Sequence, residues 1–336
     1  MLTYLSILLG CDSGPIDIKQ NCSLPHKAGS YCYNGPKYDS FGQIKSCAVP
    51  GTFAITFDDG PSNNTAAILD MLDKYDMKAT FFLIGKNIDA NPNIVQNIAD
   101  DGHQIAAHTY SHLWLTNCSI NFTRTDMVLN ENALYNKNYL NTLSGGVIPR
   151  YMRAPHGVVN NDIMKLLNVE LGYQVVHWSF LTQDSDNGTS MCDIKEVYTS
   201  HLGGENSTGV NQTNIGVISQ QHDKVYNTLM SFGDVANYLN RTLAAKGTKF
   251  VTVAECMGDK SGFYRLNPRP TSDPTCSNGI LSPSGATCCS SNCLQCGGTG
   301  CGDAFNTADM LCCEDTIRSF QYTTFCNASI PPCKMH

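Results

Sequence analysis

Charge is scarce in this sequence: only 15% of its 336 residues are Asp, Glu, Lys or Arg, and the formal net charge is -7. The few basic residues are scattered. That excludes the concentrated Lys/Arg footprint with which nucleic-acid-binding proteins neutralise phosphates, so no nucleic-acid partner is expected. It also leaves an anionic polymer without an obvious cradle. A neutral glycan fits such a surface better. Long apolar runs are missing as well. The opening MLTYLSILLG is apolar but far too short for a membrane span, and no basic residue precedes it. It reads as a short or truncated secretory leader, with no transmembrane segment. A secreted or cell-wall protein, acting as a monomer, is the expectation.

Cysteine, by contrast, is abundant: there are 17, and ten of them lie between Cys276 and Cys333. That density reads as a disulfide scaffold formed in an oxidising compartment. Loss of Cys11 with a leader would leave an even number. N-x-Ser/Thr sequons, among them Asn63, Asn117, Asn121 and Asn187, agree with secretion. Pro268, Pro270 and Pro274 mark a linker. The chain therefore divides into an N-terminal extension (1–46), a main domain (47–258), a linker (259–275) and a small disulfide-rich C-terminal module (276–336). The alternative reading of that module, a metal site built on Cys293 and Cys296, suits ten crowded cysteines less well. Glycan binding by the module is a third possibility.

Across the main domain, short apolar runs alternate with helical patterns. The predicted strands are Thr52–Phe57, Ala79–Ile84, His103–Ala107, Pro149–Arg153, Tyr173–Trp178, Ile215–Ser219 and Phe250–Ala254. Most are continuous apolar runs, as parallel strands buried on both faces require. Helical spacing appears in Thr65–Tyr75, through Ile68, Leu69 and Leu72, and in Asp162–Leu171, through Ile163, Leu166 and Leu167. Repeated strand–helix units predict an α/β fold. Polar residues at the ends of many successive strands favour a barrel, whose reactive side chains gather at one mouth, over an open sheet.

Those polar residues form the candidate site. Asp58 and Asp59 follow the first strand in TFDDGP, where pleat alternation predicts that they point apart and act differently. An Asp-rich turn is the plainer reading of that motif alone. His108 and His112 in HTYSH have the spacing of one helical turn and suit chelation of a borderline cation. The glutamate of the His-Glu-x-x-His proteases is absent. With an aspartate these imidazoles make a three-ligand set that leaves room for water and substrate. His222 in SQQHD is either a general acid or an ordinary hydrogen-bonded histidine, and Asp184 can orient it. Arg153 in RAPH can pair with a base carboxylate.

Taken in order, these motifs resemble the polysaccharide deacetylases, carbohydrate esterase family 4, and especially the fungal-type chitin deacetylases. TFDDGP and HTYSH match outright. Arg153–His156 resembles the third motif with His156 in place of Tyr, Trp178–Ser185 the fourth, and Gln220-Gln221-His222 the fifth. Departures fall at Leu181, Ser185 and Gln220, where the family has an aspartate, an aromatic and a leucine. The resemblance implies a distorted (β/α) barrel with parallel strands. It implies Asp58 as base, Asp59, His108 and His112 as ligands of one divalent metal ion, and His222 as acid. Asp184 and Arg153 would orient the acid and the base, and the His156 backbone N–H would stabilise the oxyanion. Zinc is the expected metal, with cobalt or another transition metal as alternatives. The implied reaction is removal of N-acetyl groups from chitin, releasing acetate and leaving chitosan. It also implies a Cys47–Cys256 disulfide. The rivals are an acetyl xylan esterase, a peptidoglycan deacetylase, or a catalytically weak cell-wall glycan-binding protein.

Overall fold

The computed structural model describes residues 37–135, 147–202 and 216–266. Its strands are β1 (Thr52–Gly60), β2 (Ala79–Leu83), β3 (Gln104–Ala107), β4 (Val147–Pro149), β5 (Tyr151–Met152), β6 (Gln174–Val175), β7 (Phe180–Leu181), β8 (Gly216–His222), β9 (Lys249–Phe250) and β10 (Tyr264–Leu266). Its α-helices are α1 (Thr65–Lys74), α2 (Gly85–Ala90), α3 (Pro92–Asp100), α4 (Ile120–Tyr135), α5 (Asn161–Met164), α6 (Met191–Leu202), α7 (Tyr226–Thr242) and α8 (Val253–Cys256).

The main sheet is ordered β6-β5-β3-β2-β1-β8-β7, with β9 alongside the start of β1. Every pairing in it is parallel. Its two ends, β6 and β7, are consecutive halves of one segment, Gln174–Leu181. The first half bonds β5 and the second bonds β8. The sheet therefore curls round towards a barrel, distorted where that segment passes from one partner to the other.

Strand alternation sorts the core into two layers. Ala54, Phe82, Ala106, Tyr151, Val176 and Ile218 form one buried cluster, on the inner side of the curl. Phe53, Ile55, Phe57, Phe81, Leu83 and Ile105 belong to another, together with Ile68, Leu69 and Leu72 of α1 and Phe232, Val235 and Leu239 of α7. Burial on both faces is why β1 carries no charged residue before Asp58. The sulfurs of Cys47 and Cys256 are bonded across 209 residues of sequence, tying the approach to β1 to α8. Cys118 and Cys192 are also in disulfides.

Two predicted strands run on through the site residues, to Gly60 in β1 and His222 in β8, and three others are divided or cut short. Pro149–Arg153 divides at Arg150, because β4 leaves the main sheet to pair antiparallel with β10. Tyr173–Trp178 narrows to β6 and resumes as β7. Phe250–Ala254 stops at Phe250, because the Thr252 side chain accepts from Glu255 N while Glu255 accepts from Thr252 N. That capping box starts a helix where β-branched residues had suggested a strand. The predicted helix Asp162–Leu171 is α5 followed by a wider π-helical turn, Lys165–Glu170. Most of the linker and the whole Cys-rich module predicted at 276–336 lie outside the described residues. Residues 259–266 still pack on the domain through β10.

Candidate active site

Two strands carry polar groups up the inner side of the curl. Along β1, Ala54, Thr56 and Asp58 share one face; along β8, Ile218, Gln220 and His222 do. Each series runs from apolar packing to chemistry at the C-terminal ends of the strands. Asp58 and His222 stand opposite each other in the register.

Simple alternation would send Asp59 to the other face. It does not, because β1 bulges between Asp58 and Gly60 and Asp59 has φ 70°. This corrects the pleat argument: a left-handed residue in the bulge re-aims the second carboxylate. Asn87 Nδ2 holds the bulge by donating to Asp59 O at 2.7 Å. Gly60 is required at this point, since a Cβ there would lie 2.3 Å from the Asp223 carboxylate.

The His108–His112 segment is not a helical turn. It is an irregular loop after β3 in which Thr109 and His112 both have φ 60°. Left-handed geometry at a β-branched threonine is strained and must be held from outside. Helix α4 does this. Asp126 Oδ2 accepts from Tyr110 N and Ser111 N, while Asn130 Nδ2 donates to Leu83 O at 2.9 Å and Thr109 O at 2.7 Å.

The loop brings both imidazoles to Asp59. His108 Nε2 lies 3.2 Å and His112 Nε2 2.9 Å from Asp59 Oδ1. That oxygen is buried and forms no hydrogen bond, despite the two nitrogens beside it. One ligand atom from each of the three residues falls within 4.8 Å of the others. His108 Nδ1 is 2.8 Å from Arg153 O, which can only accept, so the proton sits on Nδ1 and the Nε2 lone pair is free. Burial works to raise the Asp59 pKa, but without a cation in place Nε2–H donation and charge from the two imidazoles outweigh it and keep the carboxyl well below the usual range. An ionised oxygen and unshared ring nitrogens converging on one point suit a single divalent cation. Lys224 Nζ reaches the other oxygen, Asp59 Oδ2, at 2.8 Å.

Asp58 turns to different partners. Arg153 Nη1 donates to Asp58 Oδ1 at 2.6 Å and to Thr56 Oγ1 at 2.7 Å. Arg153 is fully buried, with its guanidinium 4.0 Å above the Phe82 ring. Burial works against its charge, and Asp58 restores part of the loss. The other oxygen, Asp58 Oδ2, accepts from Gln220 Nε2 at 3.0 Å, and that amide nitrogen lies 3.1 Å from His222 Nε2. The departure at position 220 thus places an amide between the two titratable groups.

His222 Nδ1 is 2.9 Å from Asp184 Oδ1, while Asp184 Oδ2 accepts from His222 N and Thr228 Oγ1. Burial alone would lower the His222 pKa. Asp184, with help from Asp58 and Asp59, lifts it to about 9. His156, at φ 60°, faces the rim with its ring 4.8 Å from that of His112. Partial burial and His112 pull it down to about 4, so it is neutral at ordinary pH. Leu181 is half-buried and Ser185 exposed.

All eight predicted residues therefore meet at one mouth. The supports Asn87, Asp126 and Asn130, and the amide of Gln220, are additions that sequence reasoning did not supply.

Comparison with known proteins agrees with this geometry. Residues 45–176 match the family profile described as Polysaccharide deacetylase. A chitin deacetylase of Pestalotiopsis sp is 33% identical over 264 residues, which cover 74% of this chain and 82% of that one. The chain belongs to the polysaccharide deacetylase family. The solved chitin deacetylase of Colletotrichum lindemuthianum superposes with a TM-score of 0.59 at 29% identity, covering 68% of this chain and 96% of that one. A peptidoglycan-N-acetylglucosamine deacetylase of Bacillus cereus is 33% identical over 201 residues, covering 60% of this chain and 66% of that protein. Membership and the three-residue cluster together make this chain a metal-dependent, amide-hydrolysing deacetylase.

Proposed function

We propose that the chain removes N-acetyl groups from the N-acetylglucosamine units of chitin, yielding acetate and free amines. One observation carries the reading: a cation-ready Asp–His–His cluster stands beside a carboxylate aimed by Arg153 and an imidazole aimed by Asp184. Zinc suits the mixed nitrogen and oxygen donors of Asp59, His108 and His112, with cobalt or another transition metal as alternatives. When bound, such a cation supplies Lewis-acid polarisation of the acyl oxygen.

The chain's own groups do the rest. Asp58, aimed by Arg153, accepts a proton from the attacking water as the new C–O bond forms. The backbone N–H of His156 is the proposed donor to the oxygen on which negative charge develops. His222, kept protonated by Asp184, delivers a proton to the nitrogen as the C–N bond breaks. The nitrogen leaves as an amine and the acyl group as acetate. The Cys47–Cys256 disulfide supports action in an oxidising, extracellular setting, on a glycan of the cell wall.

The Bacillus cereus relative favours a second reading, the same chemistry on peptidoglycan. Acetate release from chitin oligomers, peptidoglycan and acetylated xylan decides among these. Release from the chitin oligomers, lost on chelation and restored by zinc, is the expected result. Release confined to xylan makes the protein an esterase, and none from any substrate leaves only glycan binding.

The His222 assignment has its own test in pH dependence. A group that must be protonated to act, with its pKa lifted to about 9, predicts a kcat/KM that falls as pH rises through that value. In Asp184→Asn the lifting charge is gone, so this alkaline limb should move down by roughly 1–3 pH units. A limb that stays in place in the variant rules His222 out as its source.

A further inference from the structure

The sequence contains two tryptophans, and both pack on the same turn. Trp178 lies under Gly157, so close that a Cβ on that glycine would sit 2.5 Å from the indole. Trp114 stacks on His156, the preceding residue, with ring centroids 4.1 Å apart and planes 10° from parallel. His156 in turn touches His112 of the cation cluster, at 4.8 Å between ring centroids. Trp114 is nevertheless 42% exposed, while Leu115 beside it is 1% exposed. The buried Leu115 side chain anchors the segment, and the indole is left standing at the rim. One face is covered by imidazole, and a large part of the residue remains exposed.

We propose that the exposed part of Trp114 is a sugar-binding position, which stacks a pyranose ring of the unit next to the one being deacetylated. The proposal rests on the glycan-deacetylase reading above and adds a positioning residue to it. A pyranose has an apolar face of C–H groups whose weak positive charge complements the negative π-face of an indole. Trp114 is pre-organised by its stack on His156, so little side-chain freedom is lost on binding. Its place, two ring contacts from the candidate cation, lies outside the reacting centre yet within reach of an adjoining sugar. Tyr38, Phe41 and Tyr226 are exposed aromatics too, but none of them is ring-stacked to the cluster. Occupancy by a partner protein is the competing outcome.

Kinetics on N-acetylglucosamine oligomers of increasing length test this with the wild type, Trp114→Ala and Trp114→Phe. Loss of the indole should raise KM for the pentamer about tenfold, with kcat and zinc affinity unchanged and the dimer's KM much less affected. Phenylalanine, which keeps a π-face, should recover most of the loss. An unchanged KM in Trp114→Ala, an equal rise at every length, or a failure of Trp114→Phe to recover would each overturn the proposal. If the wild type released no acetate from any oligomer, the deacetylase reading would fall instead. Calorimetric titration of the pentamer into wild type and Trp114→Ala then judges the sugar position separately. Weaker binding by the variant upholds it, and equal binding, or binding by neither, removes it.

Discussion

Asp58→Asn is expected to lower turnover by about 10²- to 10⁴-fold while leaving cation binding intact, the range seen when a positioned general base is lost. The substitution is nearly isosteric. An amide oxygen at the Oδ1 position still accepts from Arg153 Nη1, and the new Nδ2 is accommodated once the Gln220 amide turns its unpartnered Oε1 toward it. What disappears is the lone-pair basicity needed to take a proton from water. The change also has a structural price. Arg153 is fully buried, and without the Asp58 charge it keeps only neutral acceptors: Thr56 Oγ1, Val176 O and His177 O. Breaking a buried ion pair costs about 3–5 kcal/mol when one partner is removed outright, and less when a neutral acceptor stays in place. Thermal unfolding must therefore accompany the kinetics. A variant that melts lower but remains folded and zinc-loaded, with turnover gone, supports the base assignment. Full turnover in the same variant rejects it.

What was legible in the sequence followed chemistry that is local in the chain. Asp58, Asp59, Arg153, Asp184 and His222 could be placed because each follows an apolar run, and parallel strands deliver their C-terminal ends to one mouth. The geometry between them was less readable. HTYSH has helical spacing, yet its backbone takes left-handed angles at Thr109 and His112 that no propensity suggests. The reason is remote in sequence. Asp126 and Asn130 look like ordinary polar positions on α4, and only the fold reveals that they hold the strained loop. The Asp59 bulge is similar, since Asn87 reaches it from the start of α2. One boundary is written locally: Thr252-Val-Ala-Glu255 is a capping-box pattern, which ends the last strand at Phe250. Gln220 stands out in the sequence as a departure, but its bridge from Asp58 to His222 depends on the register between β1 and β8.

Replacing His112 should remove both cation affinity and activity, and the choice of replacement decides how cleanly this can be read. His112 sits at φ 60°, a conformation that asparagine tolerates far better than alanine does. His112→Asn therefore keeps the backbone while exchanging a good nitrogen ligand for a poor amide one. In the wild type, zinc at about 1,000 times its dissociation constant stabilises the fold by about 4 kcal/mol, a rise in Tm on the order of 10 °C for a domain of this size. The variant should show little of that rise at the same concentration, and little acetate release. Its melting temperature in chelator should stay near that of the wild type, because Asp59 keeps Lys224 at 2.8 Å to balance its charge. The two halves of this result answer different questions. The lost zinc shift assigns the ligand, and the retained apo stability excludes a general disruption of the loop. An equal zinc shift in both proteins would mean that the ion is held elsewhere, and the Asp59–His108–His112 cluster would then need another purpose.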